Sequence, residues 1–509
     1  INSALEEAVK LHSAGNIHQA KTIYQKVIQV DPNQADALHL LGVIHHQTGE
    51  PESAANLIKK AISIKPKFAA AHNNLGNVLI VLKQSEEALK HFQQAILIEP
   101  NFFDAHNNIG NLLCGLEKFE VAISYYKTAL AINPNNPQAY NNLGNALSEI
   151  GNLNEAIGNF NKALAIQPNN FETMNNLGNA QKKMGLLDDA AKTFKKSLLI
   201  HSAEPNTHNN LGNVLHDLNN LDEAIHSYNN ALTLQPDFVE ALNNLGNALI
   251  MIGKQKKARR IFEKILSIDP SFIPAYNNLG SLLQGMGETE AAISIFEKAI
   301  KINPKDHNSR HMLSSLKEEN TDKAPAKYIS SLFDGYAGTF EDQLVKKLGY
   351  KIPFLIKPII CELIPDGFKF KNVIDLGCGT GLSGVEFRDM CEKLTGVDLS
   401  NRMIQEATKK QIYDYLFTEE MDVILKTSSE PFDLIIASDV LVYLGDLNSI
   451  FENIKKSSQT GALFVFSTEH TDTSNFSLQK SGRYNHSKEY IVKVATSHKF
   501  KLEHFSKTN

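Results

Sequence analysis

A chain of 509 residues is long enough for more than one domain. Its formal net charge of −5 argues against a general attraction to nucleic acid or to anionic membrane surfaces. Four cysteines without a CxxC pair indicate neither a disulfide framework nor a zinc site, and no apolar run reaches the length of a membrane span. We therefore expect a cytoplasmic protein with no metal, no nucleic-acid partner and no membrane. No pattern in the sequence indicates an oligomeric state.

The first 305 residues repeat with a period of 34. NNLGN or a near copy begins at Asn73, Asn107, Asn141, Asn175, Asn209, Asn243 and Asn277. Each unit also carries an alanine, with an aromatic residue four positions later and a proline 12 positions later, apart from Ile58 and Ser202. Small residues where helices cross, a bulky residue beside them and a closing proline indicate helix-turn-helix units that stack on each other. We predict nine units in residues 1–305 and a capping helix with a linker in 306–325.

The period and its motif resemble the tetratricopeptide repeat. The resemblance implies an all-α superhelix whose concave groove is lined by the first helix of each unit, at positions 5, 6 and 9. Asparagine fills these positions almost throughout, although it forms helices less well than alanine by a few tenths of a kcal/mol. The groove residues are then Asn74, Asn77, Asn108, Asn111, Asn142, Asn145, Asn176, Asn179, Asn210, Asn213, Asn244, Asn247 and Asn278.

The asparagines of the groove have two interpretations. A side-chain amide both donates and accepts hydrogen bonds, so a row of amides can hold the backbone of an extended peptide or protein segment. The array also resembles the repeat domain of protein O-GlcNAc transferases, which implies this mode of binding. Alternatively, the units were copied and their asparagines bond to one another or to water. We favour peptide binding because position 4 varies freely while the asparagines do not.

The stretch 373–381 combines a strand pattern with a glycine turn. Residues 372–376 are apolar and β-branched enough for a buried parallel strand, and glycines follow at Gly377, Gly379 and Gly381. Glycine allows a tight turn and lets a ligand approach the backbone closely. A second apolar strand ends in Asp398, where a carboxylate can accept hydrogen bonds from the two hydroxyls of a ribose. The pattern predicts a cofactor that carries a nucleoside.

Two cofactors compete for this site. Gly379 to Gly384 matches the dinucleotide motif GxGxxG, so a nicotinamide enzyme is an alternative. However, Asp375 lies two residues before the first glycine, where a carboxylate would repel a pyrophosphate but attract an ammonium or a sulfonium. The motif also follows some 45 residues of helical pattern instead of opening its domain. We therefore favour S-adenosylmethionine.

The sequence DLGCGTG followed by GVDLS resembles motif I and the second-strand acid of class I methyltransferases. With its repeats, the chain resembles predicted bacterial methyltransferases that carry tetratricopeptide repeats. The resemblance implies an α/β Rossmann-like methyltransferase domain over residues 326–509. The expected cofactor residues are Asp375, Gly377, Cys378, Gly379, Gly381, Asp398, Leu399, Glu420, Ser438 and Tyr336.

Two of these residues have an equally plain alternative. Tyr336 lies in a segment, FDGYAGTFE, that resembles a leading helix closing over the cofactor, but helix packing explains its aromatics as well. Glu420 falls where the family carries an acid for the adenine amino group. A place on the solvated surface explains it equally well.

The catalytic candidates follow the fourth strand. Strands are expected at 415–418, 432–437 and 462–467. Asp439 and Tyr443 come directly after the second of these, on the side where such sheets bind ligands. His486 lies in a donor-rich loop, 481–487, and is a third candidate, as a base, although a lone histidine is more often structural.

The expected fold is therefore multidomain, with an all-α repeat superhelix before an α/β domain that is incomplete at its C-terminus. The sequence ends inside an expected sixth strand and leaves no residues for a seventh. We expect a methyltransferase whose repeats recruit a polypeptide. The alternative is a protein-binding scaffold with an inactive methyltransferase-like domain, favoured by the missing strand and disfavoured by the intact Asp375, Asp398 and glycines. A glycosyltransferase lacks a fitting catalytic domain here.

Overall fold

The computed structural model describes residues 1–337, 340–341, 345, 349–473 and 475–508, without the side chain of Tyr336. The chain divides into two compact units, Ile1–Val214 and Leu215–Asn509. Within the described residues no helix is long and apolar enough to cross a membrane.

The first unit is built of consecutive helices, each packed on the next along the chain. Their lengths alternate between 13 and 14 residues after the first helix, and the pattern repeats with the period of the sequence. The helices are α1 (Asn2–Ser13), α2 (Ile17–Val30), α3 (Ala35–Gln47), α4 (Pro51–Ile64), α5 (Ala69–Val81), α6 (Ser85–Ile98), α7 (Phe103–Gly115), α8 (Phe119–Ile132), α9 (Pro137–Glu149), α10 (Leu153–Ile166), α11 (Phe171–Lys183) and α12 (Leu187–Ile200).

A glycine in most of the units lets their two helices approach closely. A Cβ on Gly144 of α9 would come 2.6 Å from the ring of Phe160 on α10, and one on Gly178 would come 2.7 Å from Phe194. The periodic alanines, such as Ala156, are fully buried at the same interfaces. The small and aromatic residues that define the repeat are therefore the packing surface of each helix pair, as the sequence predicted.

The repeats continue into the second unit. Helix α13 (Pro205–Asp217) crosses the boundary between the units. It is followed by α14 (Leu221–Leu234), α15 (Val239–Met251), α16 (Gln255–Ile268), α17 (Ile273–Gly285), α18 (Thr289–Ile302) and α19 (His307–Leu316).

Helix α19 differs from the polar capping helix that we expected. Asp306 caps it by accepting a hydrogen bond from the backbone N–H of Ser309 at 2.8 Å. One face of the helix is buried, including His311, Met312 and Leu316. The imidazole of His311 packs 4.7 Å from the ring of Tyr328, beyond the linker. The helix therefore contacts the residues that follow instead of closing the array towards solvent.

The linker predicted in residues 318–325 is hydrogen bonded to the α/β domain. The side-chain oxygen of Asn320 accepts from the N–H of Leu478 at 2.7 Å. The carbonyl of Asp322 accepts from the N–H of Gly445 at 2.8 Å. These bonds fix the linker against the domain that it precedes.

The α/β domain is organised around a parallel sheet in the order β3-β2-β1-β4-β5. Apolar residues of the central strands β1 and β4 are buried, which is expected for a parallel sheet covered on both faces. In chain order the elements are α20 (Ala326–Tyr336), α21 (Ile352–Leu363), β1 (Phe370–Leu376), α22 (Leu382–Phe387), β2 (Cys391–Asp398), α23 (Asn401–Lys409), β3 (Tyr415–Thr418), α24 (Met421–Thr427), β4 (Phe432–Ala437), α25 (Asn448–Ser457), β5 (Ser458–Phe466) and α26 (Lys488–Ser497).

A small second sheet lies between β5 and α26, in the order β6-β8-β7. Its strands are β6 (Glu469–His470), β7 (Phe476–Leu478) and β8 (Tyr484–His486). Strand β8 corrects the loop predicted at 481–487, because its residues pair with both neighbours. The expected sixth strand is also wrong for the described residues 499–508, which form no strand.

Candidate functional site

The three glycines after β1 have left-handed backbones that only glycine adopts without strain. Their φ values are 65° at Gly377, 53° at Gly379 and 90° at Gly381. A Cβ on Gly377 would overlap the side chain of Val440, so this glycine is needed for packing. Among the described residues, a Cβ on Gly379 would meet only Phe340, at 3.9 Å. Gly379 therefore leaves space beside the backbone.

Asp375 is the second-last residue of β1, just before these glycines, and is only 1% exposed. One carboxylate oxygen accepts a hydrogen bond from the hydroxyl of Tyr413 at 2.7 Å, and the other has no partner among the described residues. Burial raises the pKa of Asp375 to about 7; the Tyr413 bond opposes this, and the nearby Asp398 adds to it. The carboxylate is therefore a buried acceptor with one oxygen available to a cation. Tyr413 was not predicted from the sequence.

Asp398, at the end of β2, holds the glycine loop. Its two oxygens accept from the backbone N–H of Gly379 at 3.0 Å and of Ser400 at 2.8 Å. Burial raises the pKa of Asp398 although these amides oppose the shift. Each carboxylate oxygen has a second lone pair, so Asp398 can still accept from hydroxyl groups. Leu399, which follows it, is half-buried.

The segment before the sheet lies on the glycine loop. Asp334 of α20 accepts a hydrogen bond from the hydroxyl of Ser400 at 2.6 Å. Glu341 accepts from the hydroxyl of Thr380 at 2.7 Å, and Phe340 faces Gly379. The predicted leading segment is thus placed where it covers the loop.

The other predicted cofactor residues differ in their surroundings. Ser438, directly after β4, is buried and its hydroxyl has no partner within the described part of the chain. Cys378 is buried too, and burial raises the pKa of its thiol. Glu420 is exposed and lies 3.5 Å from the amine of Lys323, as expected for a solvated surface residue. The side chain of Tyr336 lies outside the described residues.

The residues after β4 form a polar cluster. Asp439 has a left-handed backbone with φ 60°, and its N–H donates to the hydroxyl of Ser467 at 2.8 Å. Arg483 donates to the Asp439 carboxylate at 2.5 Å and pairs with Glu469 at 2.9 Å. Its guanidinium also lies 5.8 Å from the ring centre of Tyr443. A non-glycine residue in this conformation marks local strain of the kind found at functional sites.

Electrostatics add one residue that sequence reasoning missed. Burial raises the pKa of Tyr350, and the carboxylates of Asp439 and Asp375 raise it further. Burial likewise raises the pKa of Asp439, with Arg483 opposing the shift. Tyr350 therefore stands within electrostatic reach of the ends of both central strands. A tyrosine next to a glycine gave no signal in the sequence.

His486 is fully buried in β8. Its Nδ1 lies 2.6 Å from the hydroxyl of Thr468 and its Nε2 lies 3.1 Å from the carbonyl of Gly445. Burial lowers its pKa. This is the geometry of a structural histidine, since both nitrogens are engaged and neither is free to take a proton from a substrate.

The asparagines of the repeats hydrogen bond along the array. In several units the amide N–H of position 6 donates to the side-chain oxygen of position 5 in the preceding unit. These bonds are Asn108 to Asn73 at 3.0 Å, Asn176 to Asn141 at 3.0 Å, Asn210 to Asn175 at 3.4 Å and Asn278 to Asn243 at 2.9 Å.

Some members of the row depart from this pattern. Asn74 meets Nε2 of His39 at 2.8 Å, and Asn142 donates to Asn111 at 3.0 Å. The row is therefore self-bonded, as the alternative interpretation requires. A single such bond leaves further capacity on each amide, so a peptide partner stays a prediction. The remaining predicted groove residues are half-buried or exposed: Asn77, Asn145, Asn179, Asn213, Asn244 and Asn247.

Comparisons with family models agree with this architecture. Tetratricopeptide-repeat models match residues 11–61, 69–102, 101–169, 159–192, 212–253, 239–272 and 273–306. A model described as a methyltransferase domain matches residues 350–503. The chain is a tetratricopeptide-repeat protein with a methyltransferase domain.

Two curated relatives are named malonyl-[acyl-carrier protein] O-methyltransferase. The protein of Salmonella typhimurium is 28% identical over 102 residues, which are 20% of this chain and 40% of the relative. That of Enterobacter lignolyticus is 27% identical over 105 residues, 21% of this chain and 41% of the relative. The chain thus spans about two fifths of the length of these relatives.

Solved structures also match parts of this chain. One is YrrB, described as a TPR protein with an unusual peptide-binding site, at 23% identity and a TM-score of 0.34, covering 37% of this chain and 97% of that one. Another is MamA, at 29% identity and a TM-score of 0.31, covering 33% and 92%. Among the described residues, no group of three or more His, Cys, Asp or Glu side chains could hold a metal ion.

Proposed function

We propose that this chain is an S-adenosylmethionine-dependent methyltransferase whose repeats recruit a polypeptide. The observation that carries the proposal is Asp375, a buried carboxylate with one oxygen that has no partner among the described residues, next to a glycine loop with space at Gly379. A buried anion with a single hydrogen-bond donor is costly, and a cationic ligand would offset that cost.

The residues at this place fit the cofactor by their chemistry. Asp375 would accept from the α-ammonium group, and Asp398 would accept from the ribose hydroxyls through its remaining lone pairs. Gly379 admits the ligand to the backbone, and the unpartnered hydroxyl of Ser438 offers a further donor. The cofactor would supply a methyl group on a positively charged sulfur, which needs no metal.

The acceptor would bind beyond β4, against Asp439 and Tyr443. Arg483 keeps Asp439 beside a positive charge, so the carboxylate is available to take a proton from a hydroxyl or an amine. Tyr350 and Tyr443 would exclude water from the same place. Alignment of donor and acceptor is the main contribution that such a pocket makes.

The polypeptide partner is proposed on the repeats. Asparagine amides keep hydrogen-bonding capacity beyond the bonds that join successive units. The curated relatives are named for a malonyl group carried on a protein, and a protein-borne acceptor is consistent with a repeat array that binds polypeptide. The four cysteines are free, and we place the protein in the cytoplasm.

A scaffold with an inactive domain is the second candidate. It is favoured by Glu420, which is exposed and paired with Lys323 instead of turned to a cofactor. Loss of cofactor binding would leave protein capture as the function.

Calorimetric titration with S-adenosylhomocysteine tests the proposal, with NAD as the competing ligand. We expect binding of S-adenosylhomocysteine only, and about 100-fold weaker binding in Asp398→Ala, because two charge-assisted hydrogen bonds are lost. Asp389→Ala is the control, since this carboxylate is exposed and pairs with Lys357. Binding of NAD alone, or no binding of either ligand, would refute the methyl-donor site.

A further inference from the structure

A short loop, residues 479–483, joins β7 to β8 and is closed by its own backbone. The N–H of Gln479 donates to the carbonyl of Arg483 at 2.8 Å, and that of Gly482 donates to the carbonyl of Gln479 at 2.9 Å. These backbone bonds couple the position of Gly482 to that of Arg483.

The repeat side of the second unit holds this loop at two carbonyls. Nε2 of His311, on α19, lies 2.9 Å from the carbonyl of Gly482, and the imidazole is buried. The side-chain amide of Gln284, on α17, donates to the carbonyl of Lys480. Gly482 has φ 78°, and a Cβ there would come 2.8 Å from the hydroxyl of Tyr328. The close approach of these elements depends on that glycine.

The other end of the loop reaches the candidate acceptor site. Arg483 holds Asp439 at 2.5 Å and Glu469 at 2.9 Å, and its guanidinium lies over the ring of Tyr443. A guanidinium fixed between two carboxylates has little freedom to choose another rotamer. Its position is therefore set by the loop backbone that carries it.

We propose that loop 479–483 lines one side of the acceptor site. Helices α17 and α19 hold this loop in place. Arg483 is a positioning residue for Asp439, and His311 and Gln284 are positioning residues for Arg483. The inference rests on the proposed function only in taking Asp439 to face the acceptor. If the inference holds, the α/β domain needs the last repeat and α19 to keep its acceptor site in place.

Hydrogen exchange of the full chain tests the contact between α19 and the loop. His311→Ala removes the buried partner of the Gly482 carbonyl, and amides of the segment 479–486 should exchange about 10-fold faster or more. His307→Ala, at an exposed position of the same helix, is the matched control and should leave the segment unchanged. Gln284→Ala is a second, more exposed variant with the same expected direction. Equal exchange in His311→Ala, Gln284→Ala and the control would overturn the proposal.

The carboxyl carbon of Asp439, followed by NMR in ¹³C-aspartate-labelled protein, tests the role of Arg483. Removal of the positive charge in Arg483→Gln should raise the pKa of Asp439 by about one pH unit or more. Arg483→Lys should restore most of the difference. Two tyrosines, Tyr443 and Tyr350, also interact electrostatically with Asp439. Both are retained in these variants, as is Glu469, which pairs with Arg483.

If His311 positions Arg483, the same titration should also respond to a change at His311. His311→Ala should move the pKa of Asp439 upward by a smaller amount, whereas His307→Ala should not move it. No change in Arg483→Gln, or a change in His307→Ala equal to that in His311→Ala, would contradict the inference. Titration with S-adenosylhomocysteine in parallel separates the two proposals, because its failure would refute the methyl-donor site without altering the exchange result.

Discussion

Asp375 is a single residue whose burial lowers the stability of the free protein when its carboxylate is ionised. Its carboxylate is buried, and only Tyr413 donates a hydrogen bond to it within the described part of the chain. Ionising such a group costs free energy that a bound cation would return. An acidic residue before the glycines is visible in the sequence, but the donor is not. Tyr413 lies 38 positions later, and only the packing of the sheet brings it near.

Asp375→Asn should therefore stabilise the free protein at neutral and higher pH. The pKa of Asp375, about 7 in the folded chain, lies above its usual value near 4. The folded state therefore keeps a proton that the unfolded chain has released, and stability falls as the pH rises from about 4 to about 7. The variant cannot ionise, so its advantage should grow over this range to about 4 kcal/mol at pH 8, because each of the roughly three pKa units is worth about 1.4 kcal/mol. Thermal unfolding at pH 5 and pH 8 measures the difference.

The control for this prediction is Asp433→Asn. Asp433 is also buried, but its two oxygens accept from the backbone N–H of Lys371 at 2.7 Å and of Asn372 at 3.0 Å. An amide there loses one acceptor, so this variant should be less stable than the wild type. S-adenosylhomocysteine should bind Asp375→Asn much more weakly and Asp433→Asn normally. Equal stability of wild type and Asp375→Asn at pH 8 would show that the carboxylate is satisfied.

At the scale of elements, the glycine loop separates packing from binding. Gly377 and Gly379 both have left-handed backbones, so alanine costs about 1 kcal/mol of strain at either position. A methyl group at Gly377 would also overlap Val440, whereas one at Gly379 would make only an ordinary van der Waals contact with Phe340 among the described residues. Gly377→Ala should therefore lower the unfolding temperature by more than Gly379→Ala does.

Ligand affinity should divide the two variants in a second way. If the space beside Gly379 holds the cofactor, Gly379→Ala should weaken S-adenosylhomocysteine binding by about 10-fold or more while the domain stays folded. Circular dichroism and calorimetry on the same samples give both quantities. Normal affinity in Gly379→Ala would mean that the ligand lies elsewhere.

The elements with regular periodicity could be predicted from the sequence, whereas those defined by pairing could not. Strand β4 was predicted at its observed bounds because a run of buried apolar residues is a local signal. Strand β8, three residues long, has no such run and exists because Asn485 pairs with β6 and β7. The same holds for site residues. Asp398 could be predicted because it ends a strand, whereas Arg483 could not, because its carboxylate partner Asp439 lies 44 positions away.

At the scale of the whole molecule, the 34-residue period predicted the repeats, and the domain motifs predicted the α/β half. The period could not show how the two halves meet within the second unit. The charged segment 318–325, which ends in proline, was predicted to be a linker. In the structure, however, Asn320 and Asp322 are hydrogen bonded to the domain. Such bonds use backbone groups that every residue carries, so composition gives no signal for them.

The asparagine row gives the last prediction. Asn176 and Asn210 donate to the preceding units, so replacing them and Asn142 by alanine removes both a bond within the array and capacity for a peptide. We expect helix content to be kept, since alanine is the better helix former. Affinity for an extended Ser/Ala peptide of about 12 residues should fall by about 10-fold. Asn154→Ala with Asn161→Ala, at exposed positions of α10, is the control.

The backbone of the probe separates a peptide ladder from a structural one. A copy of the Ser/Ala peptide with N-methylated amides cannot donate hydrogen bonds from its backbone. If the asparagines hold peptide backbone, the N-methylated copy should bind the wild type as weakly as the normal peptide binds the triple variant. If the row serves only to join successive units, the triple variant should lose stability, because the oxygen of Asn141 loses the donor Asn176 and that of Asn175 keeps Thr207 but loses Asn210. Its peptide affinity would then equal that of the wild type, and the groove would need another explanation.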